Sequence, residues 1–184
     1  MKRLAYALAV AGLCVSTPLT TATPAYALET YAAQLQASDA ASQARFDMLQ
    51  VFGPKLIPPG RYLWRSVPET AGPERVVISL SDQLAFLYRG NELMAVAAIS
   101  TGEPGRDTPT GIFRVLNKKP FHRSRKYDNA PMPFAQFVTD YGVALHAGHN
   151  PGQPASHGCV RLPSSFAKKL YAVTNIGTPV LIGA

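Results

Sequence analysis

The chain has 184 residues and a formal net charge of +7, from 18 basic and 11 acidic side chains. This length permits one core-bearing domain with a smaller appendage. The charge suits an acidic polymer or ordinary solubility, whereas a nucleic-acid interface needs basic residues interleaved with exposed aromatics. Only residues 118–126 come close to that pattern, so we expect no nucleic-acid partner.

The first residues have the pattern of a cleaved export signal. Lys2 and Arg3 precede an apolar run over residues 4–15, and Ala25 and Ala27 are the small residues that a cleavage site requires. The run is shorter than the roughly 20 apolar residues that cross a bilayer. We predict a signal peptide at residues 1–27, a mature chain without a membrane span, and a location in the periplasm or cell envelope.

Residues 28–74 are predicted to be a small helical segment followed by a Pro-rich linker. Ala44, Met48 and Val51 lie near helical spacing, which predicts one helix within residues 40–51. Closely spaced prolines in residues 53–73 favour extended or turning backbone over packed helix or strand.

Residues 75–184 carry the short apolar runs of a β-rich domain. Ser164 or Ser165 is predicted to cap a helix that stops near Gly177. The pattern favours a mainly β fold, an antiparallel sandwich or barrel with one or two short helices. Strands are predicted at residues 75–80, 84–88, 93–100, 111–116, 134–138, 143–146, 159–162 and 178–182.

Cys159 is the one cysteine that remains after signal removal, because Cys14 lies in the apolar run. A single cysteine in an exported chain indicates a reactive thiol or an intermolecular bridge, or else a buried, inert residue. A Gly- and Pro-rich loop follows His146 and could return the chain so that this histidine lies beside Cys159. A free thiol, with a pKa of about 8.5, needs such a neighbouring base to become a nucleophile.

Gly158 adds a second feature of an acyl-transfer site. A glycine before the nucleophile permits a tight turn, and the N–H groups of Gly158 and Cys159 could point at a developing oxyanion.

The run VALHAGHNPGQPASHGCVRLP at residues 143–163 resembles the active-site signature of L,D-transpeptidases, the YkuD-like catalytic domain. In that signature an upstream histidine precedes a Ser/Thr-His-Gly-Cys box. Residues 100–102 and 108–113 resemble the family's "STG…TPTG-F" loop and strand. Residues 131–134 resemble its "MP(F/Y)" segment, and residues 177–180 resemble its closing strand. The resemblance covers roughly residues 75–182 in order, so we predict a catalytic domain at residues 75–184.

The resemblance implies a peptidoglycan L,D-transpeptidase that needs no metal or cofactor. Its implied partners are stem peptides as acyl donor and amine acceptor, with an envelope protein as another acceptor. Cys159 would attack a stem-peptide carbonyl, and His146 would transfer the proton. The candidate catalytic residues are Cys159, His146 and His157; the candidate oxyanion and substrate-binding residues are Ser156, Gly158 and Arg161. Ala147 departs from the glycine that often follows the first histidine.

Three alternatives stay open at this stage. The first is a related thiol L,D-carboxypeptidase or endopeptidase acting on peptidoglycan, and the second is a non-catalytic wall-binding module. The third is a zinc site formed by His146, His149, His157 and Cys159, although their spacing matches none of the usual paired-ligand patterns. For residues 118–126 we consider a flap that attracts acidic stems, or a solvated loop.

Overall fold

The computed structural model describes residues 27–184, so the predicted signal peptide at residues 1–27 lies outside the described residues except for Ala27. No helix in this part of the chain is long and apolar enough to span a membrane. The elements, in chain order, are β1 (Ala27–Leu28), α1 (Tyr31–Phe52), β2 (Tyr62–Trp64), a 3-10 turn (Glu69–Ala71), β3 (Glu74–Ser79), β4 (Leu84–Arg89), β5 (Glu92–Ala98), β6 (Gly111–Arg114), β7 (Asn117–Lys119), β8 (Ala135–Phe137), β9 (Ala144–Ala147), β10 (Val160–Leu162), α2 (Ser164–Val173) and β11 (Pro179–Gly183).

The strands form two sheets. The larger sheet has the order β1-β6-β11-β3-β4-β5-β2, and the smaller has the order β10-β9-β8-β7. Most neighbours are antiparallel, but β11 pairs with β3, and β10 with β9, in parallel. The expectation of an antiparallel fold is wrong for these two pairs. Parallel neighbours require a long crossover, which residues 148–159 provide between β9 and β10. The mainly β class is confirmed.

The main core lies between the two sheets and is closed by α2. Ile78 and Leu87 reach it from the larger sheet, Leu145 and Leu162 from the smaller, and Phe166 from α2. Each of these side chains is at most 1% exposed. Because β9 and β10 turn Leu145 and Leu162 inward, their alternate residues face outward. The outer face of the smaller sheet is therefore available for a site.

Helix α1 covers the other face of the larger sheet. It begins nine residues before the predicted segment, where the side chain of Thr30 caps it by accepting a hydrogen bond from the Ala33 N–H at 3.3 Å. A row of small residues and one methionine lies against the sheet, whereas Val51, predicted on this row, is 40% exposed. The buried residues of the row are Ala33, Ala37, Ala41, Ala44 and Met48.

The Pro-rich segment contains one strand that the sequence did not predict. Strand β2 pairs with β5 at the edge of the larger sheet, where a neighbouring proline removes no ladder hydrogen bond. The rings of Tyr62 and Trp64 pack on Phe166, with centroids 5.5 and 6.1 Å away. The division of the chain at residue 74 stays a prediction.

Helix α2 is present as predicted, but its cap differs. Pro163 occupies the N-cap position and supplies no side-chain hydrogen bond, while Ser164 and Ser165 lie in the first turn. The helix begins without a side-chain cap because Phe166 and Leu170, buried in the main core, hold it by packing.

Candidate active site

A cleft of about 980 Å³ lies on the outer face of the smaller sheet. Phe137 and Cys159 contribute to its floor. Its walls come from residues 105–107, residues 139–143 and the β7–β8 loop, which we define as residues 120–134. Cys159 is thus partly exposed in a concave site, which the sequence-based hypothesis of a reactive thiol requires.

The Cys159 thiol lies where β10 begins, beside the start of β9. Its Sγ lies 3.8 Å from the Gly142 carbonyl oxygen, and the side chain packs against Ala144. Burial raises the pKa of Cys159 above its usual value, although a hydrogen bond from the Ala144 backbone and the charge of Arg161 oppose the shift. The resting group is therefore a neutral thiol at neutral pH, and it needs a base to react.

His146 lies on β9 and is only 7% exposed. Its Nδ1 lies 2.8 Å from the carbonyl oxygen of Ala147. Because a carbonyl only accepts, Nδ1 carries the proton and Nε2 of the neutral ring is left as the basic nitrogen. Burial lowers the pKa of His146 below its usual value, and the nearby Arg161 and His122 lower it further. His146 is thus a neutral base near pH 7.

The strand register brings His146 and Cys159 to the same face. Arg161 is the parallel partner of His146 and Val160 that of Leu145. Cys159 is two residues before Arg161, so alternation directs both side chains to the side of His146. Adjacent strands lie about 4.8 Å apart, which makes Cys159 and His146 close diagonal neighbours.

The turn before Cys159 is held by Ser156. The Ser156 hydroxyl donates to the Cys159 carbonyl and accepts from the Gly158 N–H at 3.1 Å. Gly158 has a φ of 105°, in the region that favours glycine. We expected the N–H groups of both Gly158 and Cys159 to be available to an oxyanion. The Gly158 N–H is instead occupied by Ser156, whereas the Cys159 N–H donates to no other group among residues 27–184.

A second loop is fastened to this turn by Thr108. Its hydroxyl donates to the Gly158 carbonyl at 3.0 Å and accepts from the Gly102 N–H at 2.9 Å. A Cβ at Gly102 would lie 2.1 Å from the Arg106 carbonyl oxygen, so this approach requires glycine. Our sequence reasoning did not include Thr108 among the site residues. The signal was its position in the "TPTG" segment.

His157 lies between two walls of the cleft. Its ring centroid is 4.2 Å from that of Tyr127 in the β7–β8 loop, and its Nε2 lies 3.9 Å from a carboxylate oxygen of Glu103. The same carboxylate pairs with Arg106 at 2.9 Å. His157 therefore links the turn before Cys159 to the β7–β8 loop.

Arg161 lies beside the thiol and the imidazole rather than in the turn. Its backbone exchanges two hydrogen bonds with Ser100, at 3.0 and 2.8 Å. A Cβ at Gly148 would lie 3.0 to 3.2 Å from the Arg161 side-chain carbons, so Gly148 makes room for this side chain. The positive charge lowers the pKa of both Cys159 and His146.

The basic stretch at residues 118–126 divides between two roles. Lys119, Arg125 and Lys126 line the cleft, whereas Arg123 donates to the Asn129 carbonyl within the loop. Lys118 points away from the cleft. Its Nζ donates to the Tyr171 and Thr174 carbonyls at the end of α2, at 2.6 and 2.5 Å.

The four candidate zinc ligands do not form a metal-binding cluster in the described part of the chain. No group of three or more His, Cys, Asp or Glu side chains within residues 27–184 is arranged to hold a metal ion. His149 is exposed and does not line the cleft.

Residues 73–182 match the YkuD family, the L,D-transpeptidase catalytic domain. The chain belongs to this family. L,D-transpeptidase YkuD of Bacillus licheniformis is 27% identical over 121 residues, which cover 62% of this chain and 68% of that protein. An L,D-transpeptidase structure from Mycobacterium smegmatis is 25% identical, with a TM-score of 0.55, and covers 60% of this chain and 58% of that one. The LD transpeptidase LdtMt1 in complex with imipenem is 25% identical, with a TM-score of 0.54, covering 59% and 58%.

The resemblance that the sequence suggested is confirmed at the level of family and fold. The similarity to the M. smegmatis structure covers only 58% of that chain, so the solved relative extends beyond the shared part. The reaction, the substrate and the partners of this protein are therefore proposals, which rest on its own site and on its family membership.

Proposed function

We propose that this protein is a peptidoglycan L,D-transpeptidase that forms a thioester on Cys159. One observation carries the proposal: a cleft-exposed thiol lies on the same sheet face as a buried histidine whose Nδ1 is held by the Ala147 carbonyl. Membership of the L,D-transpeptidase family supports the proposed substrate class, a stem peptide with a terminal D-alanine.

The first half-reaction breaks the bond to that D-alanine. Nε2 of His146 takes the thiol proton while the sulfur of Cys159 attacks the preceding carbonyl carbon. The carbonyl oxygen becomes an oxyanion, and the unoccupied N–H of Cys159 donates to it. The tetrahedral intermediate collapses as the carbon–nitrogen bond breaks, and His146 returns the proton to the leaving amine.

The second half-reaction transfers the acyl group to an amine. The nitrogen of an acceptor stem, or of an envelope protein, attacks the thioester carbonyl, and the carbon–sulfur bond breaks. His146 carries a proton from that nitrogen to the departing sulfur. Water in place of the amine would make the protein a carboxypeptidase, which is the second candidate.

The charges of the cleft fit an acidic peptide. Lys119, Arg125 and Lys126 line the cleft, and Asp107 and Asp140 line it as well. A stem peptide carries both carboxylates and an amine, so it has a group to bind to charges of either sign. The predicted export signal would deliver the enzyme to the periplasm or envelope, where such peptides occur.

Product analysis tests the proposal directly. Tetrapeptide-bearing muropeptides incubated with the protein should release D-alanine and give a cross-linked dimer, detected by mass, and Cys159→Ala should give neither. Trimmed peptide without dimer would assign the carboxypeptidase reaction. Retention of muropeptides without any product would assign a wall-binding module and overturn the proposal.

A carbapenem gives a second readout of the same thiol. Because LdtMt1 is a relative in complex with imipenem, we expect one imipenem adduct per chain, located on Cys159 by peptide mapping. His146→Gln should slow its formation by about 10²-fold or more, the usual contribution of a general base. His149→Gln is the matched control, because His149 lies outside the cleft.

A further inference from the structure

The β7–β8 loop brings a histidine other than His146 and His157 into the cleft. His122 lines the cleft that holds Cys159, and it also lines a smaller cavity of about 360 Å³ formed by Phe121, Arg123, Pro131 and Pro133. The His122 side chain therefore borders both the cleft and the smaller cavity.

The backbone of the loop directs His122 inward. Its two arms pair as a short ladder, in which the Met132 N–H donates to the His122 carbonyl at 2.8 Å and the Ser124 N–H donates to the Ala130 carbonyl at 2.9 Å. Side chains alternate along such a ladder. His122 and Ser124 line the cleft, whereas Phe121 is 83% exposed.

The ring of His122 is held in the cleft by packing alone, and its nitrogens have no partner within the described fold. It packs edge-on against Phe137, with centroids 5.1 Å apart and planes at 87°. Phe137 belongs to the same small cluster as Cys159. Among residues 27–184 the His122 ring nitrogens form no hydrogen bond, so the packing sets the ring's place and leaves both nitrogens for a ligand.

The surroundings of His122 favour the neutral ring. Burial lowers its pKa, and the charges of Lys119 and Arg125 lower it further. His146 on β9 is also a titratable neighbour, because the charge of His122 lowers the pKa of His146. A neutral imidazole near pH 7 can accept a proton.

We propose that His122 is a further catalytic residue, which takes a proton from the incoming acceptor amine. The inference rests on the proposed function, because it concerns the second half-reaction. An acceptor ammonium gives one proton to His122 and becomes a nucleophilic amine. After attack it gives a second proton, through His146, to the sulfur as the carbon–sulfur bond breaks. His122 then releases its proton to solvent, and the thiol is restored.

The division of labour follows from position. His146 is only 7% exposed, whereas His122 lines the cleft and also borders the second cavity. An acceptor that approaches the thioester along the β7–β8 loop would meet His122 first.

Two small amines of similar size test the proposal. Methylamine is protonated at neutral pH and must lose a proton before it attacks, whereas hydroxylamine is largely unprotonated. The thioester is formed on Cys159 from a tetrapeptide, and the rates of acylation and of transfer to each amine are measured in single turnovers. For His122→Gln we expect the ratio of transfer to acylation to fall about 10²-fold with methylamine, and to stay close to the wild-type ratio with hydroxylamine. His149→Gln should change neither ratio.

The outcomes separate this inference from the proposed function. Equal losses with both amines would give His122 a structural role, and no loss with either would remove it from the reaction. If His122→Gln and His122→Asn both failed to acylate while the wild type did, His122 would act before transfer and the inference would be overturned. A wild-type protein that forms no thioester would instead overturn the proposed function.

Discussion

Cys159 and His146 occupy surroundings that keep both side chains uncharged at rest. Burial is the main cause for each, since it raises the pKa of the thiol and lowers that of the imidazole. An ion pair of thiolate and imidazolium would require the opposite shifts. The site is therefore built for proton transfer during attack rather than for a preformed thiolate.

The pH dependence of acylation should reveal this arrangement. Protonation of His146 removes the base, so acylation should fall as the pH drops through the lowered pKa of His146, below the usual value of about 6.5. Alkylation by iodoacetamide depends on thiolate, so its main rise should come above the usual thiol pKa. Stopped-flow acylation with imipenem and timed alkylation would measure the two pH profiles. If acylation already fell to half its maximal rate above pH 7 as the pH was lowered, or if alkylation were fast at pH 6, the neutral pair would be contradicted.

Some residues of the site could be predicted from sequence and others could not. Cys159, His146 and the Ser156 turn lie in one continuous motif with residue types that suit acyl transfer. Thr108 was missed because its contact with Gly158 joins residues 50 positions apart. The use of the Gly158 N–H by Ser156 was also hidden, because it depends on the local φ of Gly158.

Loops rather than regular elements position the thiol, and Thr108 is the point where two of them meet. The hydroxyl connects the Gly102 loop to the carbonyl of Gly158, which directly precedes Cys159. Replacing the hydroxyl with an isosteric methyl group would leave the buried Gly158 carbonyl and the partly buried Gly102 N–H without these partners. Each such group costs about 1–3 kcal/mol.

Thr108→Val should therefore lower kcat/KM by about tenfold or more, and should also lower the unfolding temperature. Thr110→Val is the matched control, because the Thr110 hydroxyl forms no hydrogen bond among residues 27–184. Steady-state cross-linking and thermal unfolding would be measured for both variants. Equal behaviour of the two would show that Thr108 does not fasten the turn.

Among the secondary-structure elements, the strands that the sequence predicted best are those with long apolar runs. The central residues of β3, β4 and β5 are buried on both faces and form nearly continuous apolar runs. β2 and β7 were missed, since each has three residues and is only partly buried at the edge of its sheet. Edge strands of this kind carry too little apolar periodicity to be recognised.

Across the whole molecule, α1 acts as part of one folded body with the larger sheet. Its inner row packs on Phe86 and Val96, and the buried hydroxyl of Tyr88 donates to the Asp47 carboxylate at 2.7 Å. Burial and Asp47 raise the pKa of Tyr88, so the phenol stays a donor at all ordinary pH values.

Tyr88→Phe should destabilise the protein by about 1–3 kcal/mol, because it removes a buried hydrogen bond to a charged group. Tyr141→Phe is the control, since the Tyr141 hydroxyl bonds to Glu29 at 3.2 Å on the exposed surface and should contribute little. Urea unfolding should show a lower midpoint with an unchanged slope for Tyr88→Phe alone. Equal midpoints for both variants would mean that the α1 contact adds no stability.

The early start of α1 was not recognised from sequence because its buried face consists mostly of alanines. Alanine gives a weak hydrophobic signal, although the α1 backbone approaches β11 so closely that a Cβ at Gly183 would lie 2.5 Å from the Ala37 carbonyl oxygen. Val51 has the apolar character expected of an inner residue but is exposed near the end of the helix.

Strand β11 lies in the middle of the larger sheet, between β6 and β3, although it comes after both of them in chain order. Until residues 179–183 are synthesised, β3 and β6 lack the neighbour that joins them, so the emerging polypeptide has no complete hydrogen-bonded scaffold. A nascent chain that stops short of residue 179 therefore cannot close this sheet, and we expect stable folding to begin only after residues 179–183 have emerged.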